Sequence, residues 1–303
     1  MSSSLRDTPS VDLPVHLSVH LEEALARRST LSLDTDAFRL FDAEGEGHAR
    51  LVVERYADAV RVTGAPMDIE VLDTVREVFP TPLFYRFGND QTGHPSGDSG
   101  QREVCEQGLR FGVSLIEHRN TGLFLDARPA RAWVRSNSSG RRVLNLFAFT
   151  SSFGVAAAAG GARSTVNVDT VPGALARGRE NYEKNGLTFD SRTFWRSDVF
   201  EAVKRATQSG ARFEGIVLDP PPMPTGGRRG ARVEVRLDLG RLLRACRPVM
   251  TDDAWLMLLV ANRSLDGEEI AAAAGYGPPK ERLTSGEDFV AAEGSRKLDV
   301  LVF

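Results

Sequence analysis

Apolar positions follow two rhythms along this chain, and the change between them divides it. From Val15 to Arg28, Leu17, Leu21, Ala24 and Leu25 fall at helical spacing, which predicts an amphipathic helix. Short runs rich in β-branched and aromatic residues come next: Ala37–Asp42 (AFRLFD), Leu51–Arg55 (LVVER) and Ala59–Thr63 (AVRVT), punctuated by glycine-bearing turns. They read as a strand meander. A helix over Asp68–Val78 and a strand over Leu83–Phe87 complete a small α+β unit. Asn89 to Arg102 (NDQTGHPSGDSGQR) is rich in Gly, Ser and Asp, too polar to bury a core, and reads as a linker or exposed loop. A long hairpin loop inside one domain is the alternative. Glu103–Leu115 follows as a hairpin turning at Gln107-Gly108, and Phe124–Arg135 as a helix with Pro129 in its first turns.

From Arg142 onward the rhythm changes. Near-continuous apolar runs at Val143–Ala148, Thr165–Asp169, Thr193–Ser197, Gly215–Asp219 and Ala254–Val260 alternate with helical segments at Gly154–Ala159, Pro172–Asn185, Val199–Ala206, Val233–Cys246 and Gly267–Ala274. Two further strands are expected near Glu281–Thr284 and Leu298–Phe303. Apolar strands alternating with helices predict a parallel sheet covered on both faces. The expected organisation is a flexible tail over residues 1–15, a small N-terminal α+β domain over 16–95 with a possible role in substrate binding, and an α/β domain over 96–303.

Bulk properties narrow this picture only slightly. The 303 residues are 41% hydrophobic and 26% charged, an ordinary globular composition. Two cysteines, Cys105 and Cys246, offer neither a disulfide framework nor a metal spacing, so no metal is expected. The polar start MSSSLRDTPSVDLP lacks the regions of a signal peptide, and no apolar run approaches the roughly 20 residues that span a bilayer. A cytoplasmic location without membrane contact is the expectation. A net charge of -3 argues mildly against a dedicated nucleic-acid binder, although a local basic patch can suffice.

Candidate chemistry gathers at strand ends, because ligands of open α/β sheets bind outside the carboxyl ends of the strands. The first strand runs into Phe147-Ala148-Phe149-Thr150-Ser151-Ser152-Phe153-Gly154. One glycine and several aromatics suit a diphosphate poorly. The loop suits S-adenosylmethionine, which has no phosphate and needs close backbone approach; an ordinary strand-to-helix turn is the alternative. Asp169 ends the second strand, where a carboxylate can accept both ribose hydroxyls or cap the next helix. Ser197 and Asp198 end the third, placed to meet an adenine edge or to act as a plain helix cap. Asp219-Pro220-Pro221-Pro222 ends the fourth. Three prolines terminate a strand abruptly and leave a rigid turn able to hold a planar base beside a methyl donor. Arg228, Arg229 and Arg232 follow in a glycine-bearing basic segment that can engage phosphates or form a solvated helix face.

The ordered series "EQGLRFGVSLIEHRNTGLFLDARPAR" (106–131), "VLNLFAFTSSFG" (143–154), "GGARSTVNVDT" (160–170), "ARGRENYEKNGL" (176–187) and "IVLDPPP" (216–222) resembles the bacterial class I 23S rRNA methyltransferases, the group containing cytosine-5 and guanine-N7 enzymes of the large subunit. The resemblance begins near residue 20, with "TDAFRLFDAEGEGHARLVVERYAD" (35–58) similar to the small domain that precedes the catalytic one. It implies a seven-stranded Rossmann-like domain. It assigns cofactor roles to Asn145, Phe147, Thr150, Asp169, Asp198 and Asp219, and a closing role over the cofactor to Thr121, Phe124, Asp126 and Arg128.

The chain departs from the family pattern in four places. Thr150-Ser151 stands where Thr-Gly is usual, and Glu117–Asn120 replaces the Gly-Gln-Lys run ahead of Thr121-Gly122. No RNA-binding module of the PUA kind is expected ahead of residue 20. The stretch after the fifth strand reads Val260-Ala261-Asn262-Arg263-Ser264, without the cysteine that must add to C6 for methylation at C5. The expectation is therefore methyl transfer to a base nitrogen, guanine in rRNA, with Asp219, Pro220, Pro221 and Asn262 positioning the base. Pro222 and the loop arginines would hold the substrate. A methyltransferase for a small molecule or protein, or a degenerate noncatalytic S-adenosylmethionine-binding protein, are the alternatives.

Overall fold

The computed structural model describes residues 13–29, 31, 34–48, 50–64, 70–88, 91–117, 119–221, 235–261, 265–290 and 298–303. Helix α1 (Leu13–Arg27) is followed by strands β1 (Ala37–Asp42), β2 (Leu51–Tyr56) and β3 (Ala59–Gly64), helix α2 (Glu70–Val78), and strands β4 (Leu83–Phe87) and β5 (Gln91–Gly93). These strands form one sheet in the order β1-β2-β3-β4-β5. Alternation sorts its faces. Phe38, Leu40, Val53, Val60, Val62, Leu83 and Phe87 pack with Leu17 and Leu21 of α1 and with Leu72 and Val75 of α2. The opposite side chains are partly charged, and Arg39, Glu54 and Arg61 stand in cross-strand register.

Of the expected tail, residues 1–12 lie outside the described residues, and residues 13–15 belong to α1. Within the glycine-rich stretch, residues 91–102 are tied to their neighbours. Gln91–Gly93 pairs with β4. Arg102 bonds Asp98 at 2.6 Å and Asp58 at 2.6 Å, which ties the stretch to the β2–β3 turn.

Strands β6 (Gln101–Glu106) and β7 (Leu109–Ser114) make a hairpin. Its turn residues Gln107 and Gly108 both have positive φ, +51° and +77°, the geometry that matches strand twist in a two-residue turn. Helix α3 (Arg128–Ser136) leads into the large sheet: β8 (Arg142–Leu146), α4 (Ser152–Ala159), β9 (Ser164–Asp169), α5 (Pro172–Lys184), β10 (Phe194–Arg196), α6 (Val199–Gln208), β11 (Phe213–Leu218), α7 (Val235–Cys246), β12 (Met250–Val260), α8 (Gly267–Ala273), β13 (Glu281–Thr284) and β14 (Asp299–Val302). The order is β10-β9-β8-β11-β12-β14-β13, with β14 antiparallel to both its neighbours.

This is the seven-stranded, doubly covered sheet that the strand–helix alternation predicts. Leu144, Leu146, Val166, Val168, Ile216 and Leu218 face α6, α7 and α8. Val143, Val217, Met257 and Leu259 face α3 and α4. Strand order reverses between β9-β8 and β11, so the crevice for a ligand opens at the carboxyl ends of β8 and β11. Cys246 lies in the first of these cores, fully buried, with its thiol pushed up to about 12 by burial.

The five-stranded sheet is joined to the large one through a shared core. Ala37, Tyr56, Ala59 and Phe84 cluster with Val104, Phe111 and Val113 of the hairpin and with Val155, Leu175 and Tyr182 of α4 and α5. Asp288 adds a polar joint. Fully buried, it accepts Arg39 N at 2.9 Å and pairs with Arg128, while its carbonyl accepts Arg28 Nη2 at 2.7 Å.

Candidate active site

The loop after β8 meets a backbone demand that glycine usually meets. Phe147, Phe149 and Ser151 have φ of +59°, +48° and +61°, so every second residue is left-handed. That conformation costs an L-residue about 1–2 kcal/mol. The tertiary contacts around the loop hold it there. Ala148 N donates to Val168 O at 2.9 Å, Ser151 N donates to Ala148 O at 2.7 Å, and Phe149 N donates to Asp169 Oδ2 at 2.8 Å. Thr150, 1% exposed, donates from Oγ1 to Gly122 O at 2.5 Å and accepts from Asn181 Nδ2 at 3.0 Å. It therefore pins the loop to the Thr121–Asp126 connector and to α5. Glycine is still required where α4 descends on the sheet, because a Cβ on Gly154 would lie 2.0 Å from Asn167 Oδ1.

Asp169 accepts two backbone N–H groups. Its Oδ1 accepts Val171 N at 2.9 Å just ahead of α5, while Oδ2 holds the β8 loop. Each oxygen retains acceptor capacity for a hydroxyl. Ser197 and Asp198 sit at the carboxyl end of β10, where Asp198 caps α6 by accepting Phe200 N at 2.8 Å. Asn145 lies beneath the loop, 1% exposed. Its Nδ2 donates to Asn167 Oδ1 at 2.9 Å, and its Oδ1 has no hydrogen-bond partner. Asn167 continues to Tyr182 Oη at 3.1 Å. Asn167 carries no role in the sequence reading, although an asparagine in an otherwise apolar buried strand is itself a signal that a polar network sits below the loop.

Asp219 follows β11 directly beside this loop; Leu218 pairs with Leu146, and Asp219 N lies 3.5 Å from Leu146 O. Its carboxyl is pushed up to about 7, first by burial and then by the Asp126 carboxylate, with Arg131 opposing. Asp126, brought in by the connector, is likewise raised by burial, against the pull of Arg39 and Arg131. A carboxylate from a distant segment thus acts on Asp219. Arg131, 2% exposed, is the fixed counter-charge to both. It is held by Glu106 through Nε–Oε1 at 2.7 Å and Nη2–Oε2 at 2.6 Å, and it donates to Phe124 O at 2.9 Å. Sequence reasoning missed both Arg131 and Glu106. The only trace of the pair is an arginine one helical turn after Arg128.

The connector residues divide by role. Phe124 is 45% exposed and meets Phe149 at 5.6 Å between ring centroids, so it stands at the mouth of the crevice. Thr121 is buried, donating to Tyr56 Oη at 3.2 Å. Arg128 is also buried and pairs with Asp288, which makes it a joint between sheets. Pro220 and Pro221 are described and partly buried beside Asp219. Pro222, Arg228, Arg229, Arg232 and Asn262 lie outside the described residues.

The fold and this edge define a seven-stranded methyltransferase-type domain whose crevice, among the described residues, offers a carboxylate with acceptor capacity and no phosphate cradle, a donor set that fits S-adenosylmethionine. Residues 85–299 match the model of the S-adenosylmethionine-dependent methyltransferase family, and the chain belongs to that family. It is 33% identical over 201 residues to ribosomal RNA large subunit methyltransferase I of Aeromonas salmonicida, covering 61% of this chain and 51% of that one. It is 35% identical over 153 residues to ribosomal RNA large subunit methyltransferase K of Neisseria meningitidis, covering 50% and 43%. The chain spans about half the length of these curated relatives. Among solved structures, a "putative methyltransferase complexed with SAH" superposes with a TM-score of 0.88 at 23% identity, covering 98% of this chain and 82% of that one. This likeness establishes the fold.

Proposed function

We propose that the protein transfers a methyl group from S-adenosylmethionine to a nitrogen of a base in RNA, with guanine of large-subunit rRNA as the target. The observation that carries this reading is the position of Asp219. It stands at the switch point of the sheet, beside the cofactor loop, with its carboxyl at about 7. The relatives are named as ribosomal RNA methyltransferases, which supports RNA as the acceptor and a cytoplasmic setting.

Bound S-adenosylmethionine supplies an electrophilic methyl group on a sulfonium. Asp169 would accept its ribose hydroxyls, and Phe147 to Ser151 would line it with backbone. Asp219 faces the acceptor. A carboxyl with a pKa near 7 is about half ionised at neutral pH, which suits it to take the proton that a ring or exocyclic N–H loses as it is methylated. At a nitrogen with no hydrogen, the same carboxylate balances the positive charge left on the base. Pro220 and Pro221 follow it in a turn that has carbonyls but no N–H groups, and Pro222 and Asn262 would complete the base site. Cys246 is buried in the core and Cys105 lies on the β6 strand, which leaves no described thiol at the crevice for addition to a pyrimidine. The five-stranded sheet with α1 and α2 would act as a substrate-binding lobe.

The test is labelled methyl transfer from S-adenosylmethionine into three separate pools: rRNA, soluble protein and small molecules. Label in rRNA is expected. Label confined to protein or small molecules would refute the RNA assignment, and label in no pool would refute methyl transfer.

A further inference from the structure

Four adjacent strands of the N-terminal sheet each carry a charged residue on the face turned toward the large sheet: Arg39 on β1, Glu54 on β2, Arg61 on β3 and Arg86 on β4. Register makes a row of them. Arg39 pairs with Glu54, Glu54 with Arg61, and Arg86 with Thr63 beside Arg61. The face is apolar at its other end, where Ala37, Tyr56, Ala59 and Phe84 join the shared core. A sheet face packed against a neighbour gains nothing from a row of guanidinium groups, which are costly to bury. Here the charged end lines a cleft of about 350 Å³ whose other wall is the connector from Arg119 to Asp126.

The cleft is positively charged in detail as well as in count. Arg39 is held between Asp42 and Glu54, each at 2.8 Å. Arg86 has no carboxylate partner among the described residues; its Nη2 donates to Ile116 O at 3.0 Å. Arg61 Nη2 donates to Arg119 O at 2.8 Å. Among the lining groups, the buried Arg39 Nε and Arg86 Nε have no hydrogen-bond partner. Arg119 adds an exposed guanidinium at the rim. The cleft is bordered by Phe124 and Asp126; Phe124 meets Phe149 of the β8 loop, and the Asp126 charge acts on Asp219. The cleft therefore adjoins the crevice.

We infer that this cleft holds the nucleotide next to the one methylated, with its phosphate on Arg86 and Arg119. The inference rests on the RNA reading above. A phosphate supplies the acceptors that guanidinium groups bind most strongly, and the volume suits one nucleotide rather than a duplex. Phe124 supplies an aromatic face on which a base can stack. The strand would run from the rim, across the row of arginines, past Phe124, to present the target base at Asp219.

The test is binding of a fluorescein-labelled single-stranded 12-mer oligoribonucleotide, followed by anisotropy from 50 to 300 mM KCl. Arg86→Gln and Arg119→Gln each remove one phosphate contact. Each should make the slope of log affinity against log salt less negative by about 0.7, which is a loss of about fivefold at 0.1 M salt. Arg86→Lys keeps the charge and should keep the slope. Arg192→Gln, on an exposed side chain at the amino end of the strands, should match wild type. Arg119 is exposed, so its variant tests the idea even if Arg86→Gln fails to fold, and S-adenosylmethionine affinity by calorimetry reports folding for both. Wild-type slope and affinity in Arg119→Gln and in folded Arg86→Gln, with rRNA still methylated, would overturn this inference alone. Absence of RNA binding and of rRNA methylation by wild type would overturn it together with the function it rests on.

Discussion

Replacing Ser151 with glycine should stabilise the protein. Ser151 is held at φ +61°, ψ +29°, a conformation that costs an L-residue about 1–2 kcal/mol. Its hydroxyl is fully buried and has no partner, which adds about 1–3 kcal/mol. Against this, glycine loses about 0.5–1 kcal/mol more chain entropy on folding, and the lost buried carbon forfeits about 0.8 kcal/mol. The balance favours glycine by about 1–2 kcal/mol, and a chain of this size gains roughly 2–4 °C in melting temperature per kcal/mol. The same geometry predicts a coupling. A Cβ on Gly178, inside α5, would lie 2.5 Å from Ser151 Oγ, 3.1 Å from Ser151 Cβ and 3.1 Å from Phe194 Cε1. Gly178→Ala alone should therefore destabilise by about 1–3 kcal/mol through overpacking. With glycine at position 151 the two serine contacts vanish, and most of the ~1 kcal/mol helical advantage of alanine should appear, reduced by the remaining contact with Phe194. Thermal and urea denaturation of wild type, both single variants and the double variant measure the cycle. A lower melting temperature for Ser151→Gly, or effects that add within about 0.5 kcal/mol, would refute this account of the loop.

Three further outcomes follow from the site. Asp169→Ala removes the acceptor for Phe149 N and Val171 N and the one proposed for the cofactor hydroxyls; calorimetry should show S-adenosylmethionine affinity reduced about 100-fold or more, at about 1.5–3 kcal/mol for each bond to a charged group. Asp219 is raised from 3.8 to about 7 in the folded protein, so the native state holds a proton that the unfolded state has lost between those values. Its contribution to stability is full below about pH 4 and is lost as pH rises through about 7. Asp219→Asn should remove that slope from chemical denaturation, and the wild-type methylation rate should rise with pH around a midpoint near 7. Asp288→Ala leaves Arg128 buried without its carboxylate and Arg39 N without its acceptor; urea denaturation should show a loss of about 3–5 kcal/mol, with the two sheets unfolding in separate steps.

Much of the large sheet was legible because its strands are apolar on both faces and its helices carry clear start signals, such as Asp198 before Val199 and Pro172 opening α5. The meander was legible from alternation and glycine turns. The stretch from 91 to 102 was not, because β5 is three residues long and mostly exposed and is fixed by pairing and by Arg102, which no local pattern announces. The backbone path of the loop after β8 was not legible either. Its aromatic residues argue against a glycine fingerprint, yet the backbone takes the left-handed turns that glycines ordinarily supply, imposed by Asp169, Val168 and Gly122 from elsewhere in the fold. The places of Asp169 and Asp219 were readable because each closes an apolar run that forms a strand. Arg131, Glu106 and the meeting of Asp126 with Asp219 were not, since they join residues separated by up to about 90 positions. Arg128, assigned to the cofactor by resemblance, also pairs with Asp288, a partner 160 residues away that no local pattern announces.

The central claim, nitrogen methylation of a base in rRNA, is tested most directly by mass spectrometry of nucleosides from rRNA of a strain lacking this protein, before and after incubation with purified protein and S-adenosylmethionine. The account predicts that one N-methylated guanosine is absent beforehand and appears afterwards, and that Asp219→Ala fails to restore it. The appearance of 5-methylcytidine instead, or an unchanged set of nucleosides, would contradict it.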